Sequence, residues 1–253
     1  MTTIEKLETQ NTRAIRRILR RFMGGVDALY FSPSFDRLLK KFSKKYTPDA
    51  KKIVLKSYKE GHVDGGRQIR RHLVAAANPH EGVEDPLISK YTVALIKSLS
   101  MILASQKEAM IVDLQSWYAA GWTYDHISAG LTSYFDDNPV SANKMARTIT
   151  NDVFNRATEQ RYKDSGVVDG IEFAAHIDAR TSQICQMLDG TIWALDDPGI
   201  RRPPQHFNCR SRLKPYFGTV PGARDYTKDF PPAFIEEAEE TATVFKTKYW
   251  DVD

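Results

Sequence analysis

Residues 164–195 read DSGVVDGIEFAAHIDARTSQICQMLDGTIWAL. Upstream of this stretch the apolar residues recur with helical spacing. Within it the texture changes. Residues 167–177 (VVDGIEFAAHI) hold a strand pattern, 181–188 one or two helical turns ending at Asp189-Gly190, and 191–195 a second strand. A third strand is expected over 210–217, after a loop over 196–205 rich in proline and charge. The fold class this predicts is α+β and predominantly α-helical. A long helical region covers 1–165, a small α+β module 166–218, and an extended acidic tail 219–253 that contains the helically spaced IEEAEETATVF.

The helical region divides at its caps and breakers. Over 3–23, Ile4, Leu7, Ala14, Ile15, Ile18, Leu19 and Phe22 form an apolar stripe bordered by Arg13, Arg16, Arg17, Arg20 and Arg21, and Gly24-Gly25 ends it. A short second helix is expected over 33–46. Thr47-Pro48 reads as an N-cap and first-turn proline for a third helix, interrupted at Gly65-Gly66. Residues 78–82 (NPHEG) read as a loop. The longest helical pattern runs from Asp85-Pro86 to about Ala120, Thr123 caps the next helix, and Ser141 caps a last one that stops before Gly166.

Of 253 residues, 42% are hydrophobic and 27% charged, an ordinary balance for a globular chain. No membrane span is expected: the most apolar run, 93–104, is short and carries Lys97. The first residues lack an apolar signal-peptide core, and two cysteines do not make a disulfide scaffold, so a reducing cytoplasm is expected. Charge is uneven. Residues 1–75 hold 18 Lys and Arg against 7 Asp and Glu, whereas the rest of the chain is acidic. Arg16, Arg17, Arg20, Arg21, Lys40, Lys41, Lys44 and Lys45 are the candidates for contact with nucleic acid or an acidic partner, and a solvated helix face is the plainer alternative.

Candidate chemistry concentrates in the module. Both cysteines lie there, with His176, Asp178 and His206 close by in sequence. Zinc takes Cys, His and carboxylate ligands, so Asp178, Cys185, His206 and Cys209 make a candidate site for one structural zinc, with His176 in reserve. His206 and Cys209 are three apart, a spacing one tight turn presents together. A unit of about fifty residues buries little apolar surface and needs a staple, which a metal would supply. A Cys185–Cys209 disulfide would staple the same elements. A Cys–His–Asp nucleophilic site and two ordinary core thiols are the remaining readings.

A helix bearing Ala146-Arg147-Thr148 and Asn155, Gly166, then Asp178-Ala179-Arg180-Thr181, Cys185, Leu188-Asp189-Gly190 and finally Pro204-Gln205-His206-Phe207-Asn208-Cys209-Arg210 resembles the phage Mu F-like minor head proteins. The resemblance covers roughly 120–217. It implies a capsid-interior protein of a tailed phage, associated with the portal and with major capsid or scaffold protein. Its expected work is head morphogenesis and packaging or ejection of the double-stranded DNA genome. It further implies a place in the virion, with the host cytoplasm as the site of assembly. A family position that accepts His or Cys suits a metal ligand. Ser211 stands where a second cysteine is often found, which leaves His206 as the substitute ligand. The resemblance implies assembly without turnover, so no enzyme is expected. The alternatives are a DNA-binding accessory protein and a metal- or thiol-dependent enzyme.

Overall fold

The computed structural model describes residues 3–29, 31–72, 86–137 and 140–249; the loop expected at 78–82 lies outside them. Helices α1 (Thr3–Met23), α2 (Phe31–Lys40), α3 (Phe42–His72), α4 (Pro86–Ala119), α5 (Tyr124–Asp137) and α6 (Val140–Ser165) are followed by strand β1 (Gly170–Ala174), helix α7 (Gln183–Leu188), strands β2 (Ile192–Ala194) and β3 (Arg212–Tyr216), and helix α8 (Pro232–Val244). The fold is predominantly helical α+β, as the sequence predicts.

In the stripe of α1, Ile15, Ile18, Leu19 and Phe22 join an apolar core shared by α1 to α6, while Ile4 and Leu7 pack apart from it against Phe154 of α6. Phe22 packs edge-on against Phe35 and Phe42, and Phe42 lies against Tyr46. These contacts explain a difference from the sequence reading. α3 starts at Phe42, five residues before the expected cap, because Phe42, Tyr46, Ala50 and Ile53 form one buried row. Pro48 is carried inside the helix, and the Thr47 hydroxyl donates to the Ser43 carbonyl (2.7 Å) as an interior threonine does.

The expected interruption at Gly65-Gly66 is also absent: α3 runs through to His72. The glycines serve the packing of α3 on α6. A Cβ on Gly61 would sit 2.3 Å from the Phe154 carbonyl oxygen, and one on Gly65 would sit 3.1 Å from the Thr158 carbonyl oxygen. The two backbones therefore meet at a distance only glycine permits. The Thr158 hydroxyl seals this contact by donating to the Gly61 carbonyl (2.9 Å). Nearby, Asn11 of α1 donates to Ser57 of α3 and Thr150 of α6 (both 2.8 Å), a buried polar pin through three helices.

α4 is long and apolar enough to cross a membrane by length and composition. Its Tyr91, Leu95, Leu99, Leu103, Met110 and Leu114 are instead the buried row that meets the rest of the bundle, which accounts for its composition. Gly121 takes a positive φ after α4, and Thr123 caps α5 by accepting from His126 N–H (3.3 Å).

The three strands form one antiparallel sheet in the order β2-β1-β3. Ile171 and Phe173 of β1 are fully buried, the alternation expected of a strand with packed neighbours. Ile171 packs with Ile69, Tyr162 and Leu213, and Phe173 with α7. The segment read as an extended acidic tail folds differently. α8 lays Ala238 and Ala242 into the cluster formed by Phe173, Ile184, Met187 and Leu188, with Phe234 and Ile235 at its edge. The module is thus closed by a helix from beyond residue 218. Its glutamates border an apolar row of small residues that carries little signal in the sequence.

Candidate metal centre

Cys185 lies in the single short helix α7, and His206 and Cys209 lie in the turn before β3. Cys209 N–H donates to the His206 carbonyl (3.3 Å), and Asn208 takes a left-handed φ of 61°. That turn brings both side chains to the same side, as their spacing predicts. Cys185 Sγ lies 3.3 Å from His206 Nε2 and 3.7 Å from Cys209 Sγ. The three donor atoms all lie within 4.8 Å of one another, and both sulfurs are buried.

These distances fit a shared tetrahedral ion. Bonds of about 2.3 Å to sulfur and about 2.0 Å to nitrogen place two sulfurs roughly 3.8 Å apart and sulfur and nitrogen roughly 3.5 Å apart. Both cysteines are free thiols, with their sulfurs well beyond bonding distance. His206 Nδ1–H donates to the Phe207 carbonyl (2.7 Å), which turns the Nε2 lone pair toward the sulfurs. The Ser182 and Ser211 hydroxyls both favour the charged form of Cys185. Two thiolates and an imidazole are the donor set that zinc prefers.

The electrostatics show three groups competing for protons. The Cys209 hydrogen bond and burial push the Cys185 thiol up. Burial also pushes Cys209 up, but hydrogen bonds from Cys185 and His206 and the charge on His206 outweigh it and hold Cys209 well below the usual thiol range. Burial pulls His206 down, and Cys209 more than reverses this, leaving the imidazole raised. Negative charge therefore settles on Cys209, with Cys185 held as the neutral thiol.

Of the four ligands proposed from sequence, the structure gathers three. Asp178 stands outside the cluster. Its carboxylate accepts two hydrogen bonds from Arg210 (2.7 Å each) and one from Arg180 N–H (2.8 Å), with Arg210 the main cause of a carboxyl held far below its usual range. Asp178 thus orients the residue next to Cys209. His176, the reserve ligand, is exposed and 3.7 Å from the Asp178 carboxylate.

α6 supplies what holds the turn in place. Thr148 Oγ1 accepts from Asn208 N–H (3.2 Å), Asn151 donates to the Ser211 carbonyl (3.0 Å), and Asn155 Oδ1 accepts from Leu213 N–H (2.8 Å). Arg202 of the proline-rich loop makes a two-pronged pair with Glu159 (2.6 and 3.0 Å). Burial pushes Glu159 up, but Arg202 and Lys163 hold it below its ordinary value. The sequence reading singled out Thr148 and Asn155 but gave no role to Glu159 or Arg202. A buried glutamate in a helix and an arginine forty residues later carry no spacing signal.

The basic candidates separate into two kinds. Arg16 donates to Asn143 (2.9 Å), Arg20 binds Asp136, and Arg21 binds Asp49 (2.8 Å) while lying over the Tyr46 ring. Arg17, Lys40, Lys41, Lys44 and Lys45 face solvent.

Residues 118–214 match the family model described as Phage Mu protein F like protein, which relates the chain to phage heads. No curated protein and no solved structure matches.

Proposed function

Residues 118–214 of this chain belong to the Phage Mu protein F-like family, and from that premise we propose that the chain is a minor head protein of a tailed phage. It assembles in the host cytoplasm and comes to lie at the portal, in the head interior. Its work is assembly and passage of the genome, not turnover. The observation that carries this reading is that the family segment encloses Cys185, His206 and Cys209 together with Thr148 and Asn155, which position them. Within residues 118–214 these side chains form an internally braced unit.

In this reading Cys185, His206 and Cys209 would hold one structural zinc. Bound there, the ion would tie α7 to the proline-rich loop and lock the face the module presents to its neighbours. The helical region supplies a second surface. Tyr118, Trp122 and Tyr124 stand exposed around the α4–α5 turn, and Tyr118 hydrogen-bonds the Ala28 carbonyl so that exposed Leu29 lies close by. Exposed aromatics in one place suit docking on a protein partner, here the portal or a capsid or scaffold subunit.

Quantitative mass spectrometry of purified particles tests the assignment. The chain is expected in virions at a copy number comparable with the portal subunits or lower. Absence from particles, or abundance equal to the major shell protein, would sink it. Elemental analysis of the purified protein tests the metal, with about one zinc per chain expected.

A further inference from the structure

The exposed cations of the first two long helices form one surface. Successive residues of an α-helix turn by about 100°, so Lys45, Lys52, Lys56 and Lys59 of α3 fall within an arc of about 60°. All four are exposed. α1 runs beside this face in the opposite direction: Arg21 of α1 reaches Asp49, and Lys56 reaches back to Gln10. Arg13 and Arg17 lie one and two turns beyond Gln10 on the same side of α1, and both are exposed. Six cations thus line two adjoining helix faces. Within the α3 arc there is no Asp or Glu. Asp49 and Glu60 lie at its border, and Asp49 is shared between Arg21 (2.8 Å) and Lys52 (4.0 Å).

Shape and composition select the partner. Lys45 and Lys59 are about 21 Å apart along the helix axis, close to the rise of six base pairs. The α3 arc between them holds no large apolar side chain to anchor a protein interface, and lysine is depleted from such interfaces. A flat lysine and arginine surface without an apolar centre fits a row of phosphates. We infer that the α1–α3 face binds the phosphate backbone of duplex DNA without reading its sequence. Of the arginines expected to do this from sequence, Arg17 lies on this face, whereas Arg16, Arg20 and Arg21 bind Asn143, Asp136 and Asp49. Lys52, Lys56 and Lys59 extend the face along α3, Lys52 near Asp49 (4.0 Å) and Lys56 on Gln10. This inference rests on the head-protein reading only in that a head encloses DNA. Its test needs no particle, so either can fail alone.

The test is fluorescence anisotropy of the full chain with two unrelated 30-base-pair duplexes over a series of salt concentrations. The expected slope of log affinity against log salt is about −3 to −5, equal for both duplexes. The combined Lys45→Gln, Lys52→Gln and Lys59→Gln variant is expected to lose about 2 to 3 units of that slope and at least tenfold in affinity near 0.1 M salt, with its melting temperature unchanged. Arg20→Gln, at a guanidinium held by Asp136, is expected to keep the slope. Absence of duplex binding, a wild-type slope in the triple variant, a comparable loss in Arg20→Gln, or a tenfold preference for one duplex would each overturn the inference.

Discussion

In the helical bundle, burial is continuous: Ile15, Leu19 and Phe22 of α1, Phe42 and Tyr46 of α3, and Leu95, Leu99 and Leu103 of α4 share one apolar core. In the α+β module the apolar residues divide into two small clusters around Phe173 and Ile171. Cys185 and Cys209 belong to the first of these, with His206 against them, and polar ties to α6 hold the turn before β3. The bundle can lose a surface contact and stay closed. The module, with less apolar surface to withdraw from water, depends on a few directional interactions. The difference teaches where mutations should act.

Replacing a proposed metal ligand tests it most severely. Structural zinc contributes on the order of 10 kcal/mol in small zinc-dependent folds. Cys209→Ser is therefore expected to abolish zinc binding and lower the melting temperature by more than any change below, with amide exchange rising first in α7 and the proline-rich loop. A chelator should reproduce this in the wild type. Unchanged exchange in both would mean that the three side chains are ordinary core.

Glu159→Gln comes next. It leaves the half-buried Arg202 without its carboxylate beside a buried position, at a cost of about 2 kcal/mol in denaturant unfolding. The same pair predicts a pH dependence. Because the folded Glu159 pKa is lowered, its contribution is complete above the ordinary value of 4.5 and is lost as pH falls through the lower folded value. Glu159→Gln should remove that part of the acid sensitivity.

Gly61→Ala probes the bundle in return. Its added methyl meets backbone, which has no rotamer by which to yield, so a loss of about 2 kcal/mol is expected despite the better helix propensity of alanine. A neutral result would show that α3 and α6 separate more easily than their spacing implies. Asn155→Ala should cost less, about 1 to 2 kcal/mol, by leaving Leu213 N–H unpaired at the edge of the sheet. Hydrogen exchange at Leu213 would read it directly.

Much of this was legible beforehand because it is written in periodicity. The stripe of α1, the strands at 170–174, 192–194 and 212–216, and the joint presentation of His206 and Cys209 follow from spacing alone. What escaped depends on the partner across the gap. Gly65-Gly66 reads as a break until α6 is seen to lie against it, since the same residue both weakens a helix and admits a close neighbour. Asp178 has the chemistry of a ligand, and only the position of Arg210 turns it into a brace. The alanines of α8 give almost no amphipathic signal, yet they complete the module.

The close meeting of α3 and α6 has a consequence for how the protein can be divided. The family segment begins at residue 118, in the last turn of α4, and takes in α5 and α6, but not α1 or α3. Its longest helix therefore turns one side to the sheet, through Asn155, and the other to residues the family model does not include, through Phe154 and Thr158. The segment that the family model matches and the unit that packs together have different edges. The helices ahead of residue 118 are the other half of a clasp, and an excised 118–214 fragment would expose the side of α6 fitted to glycine.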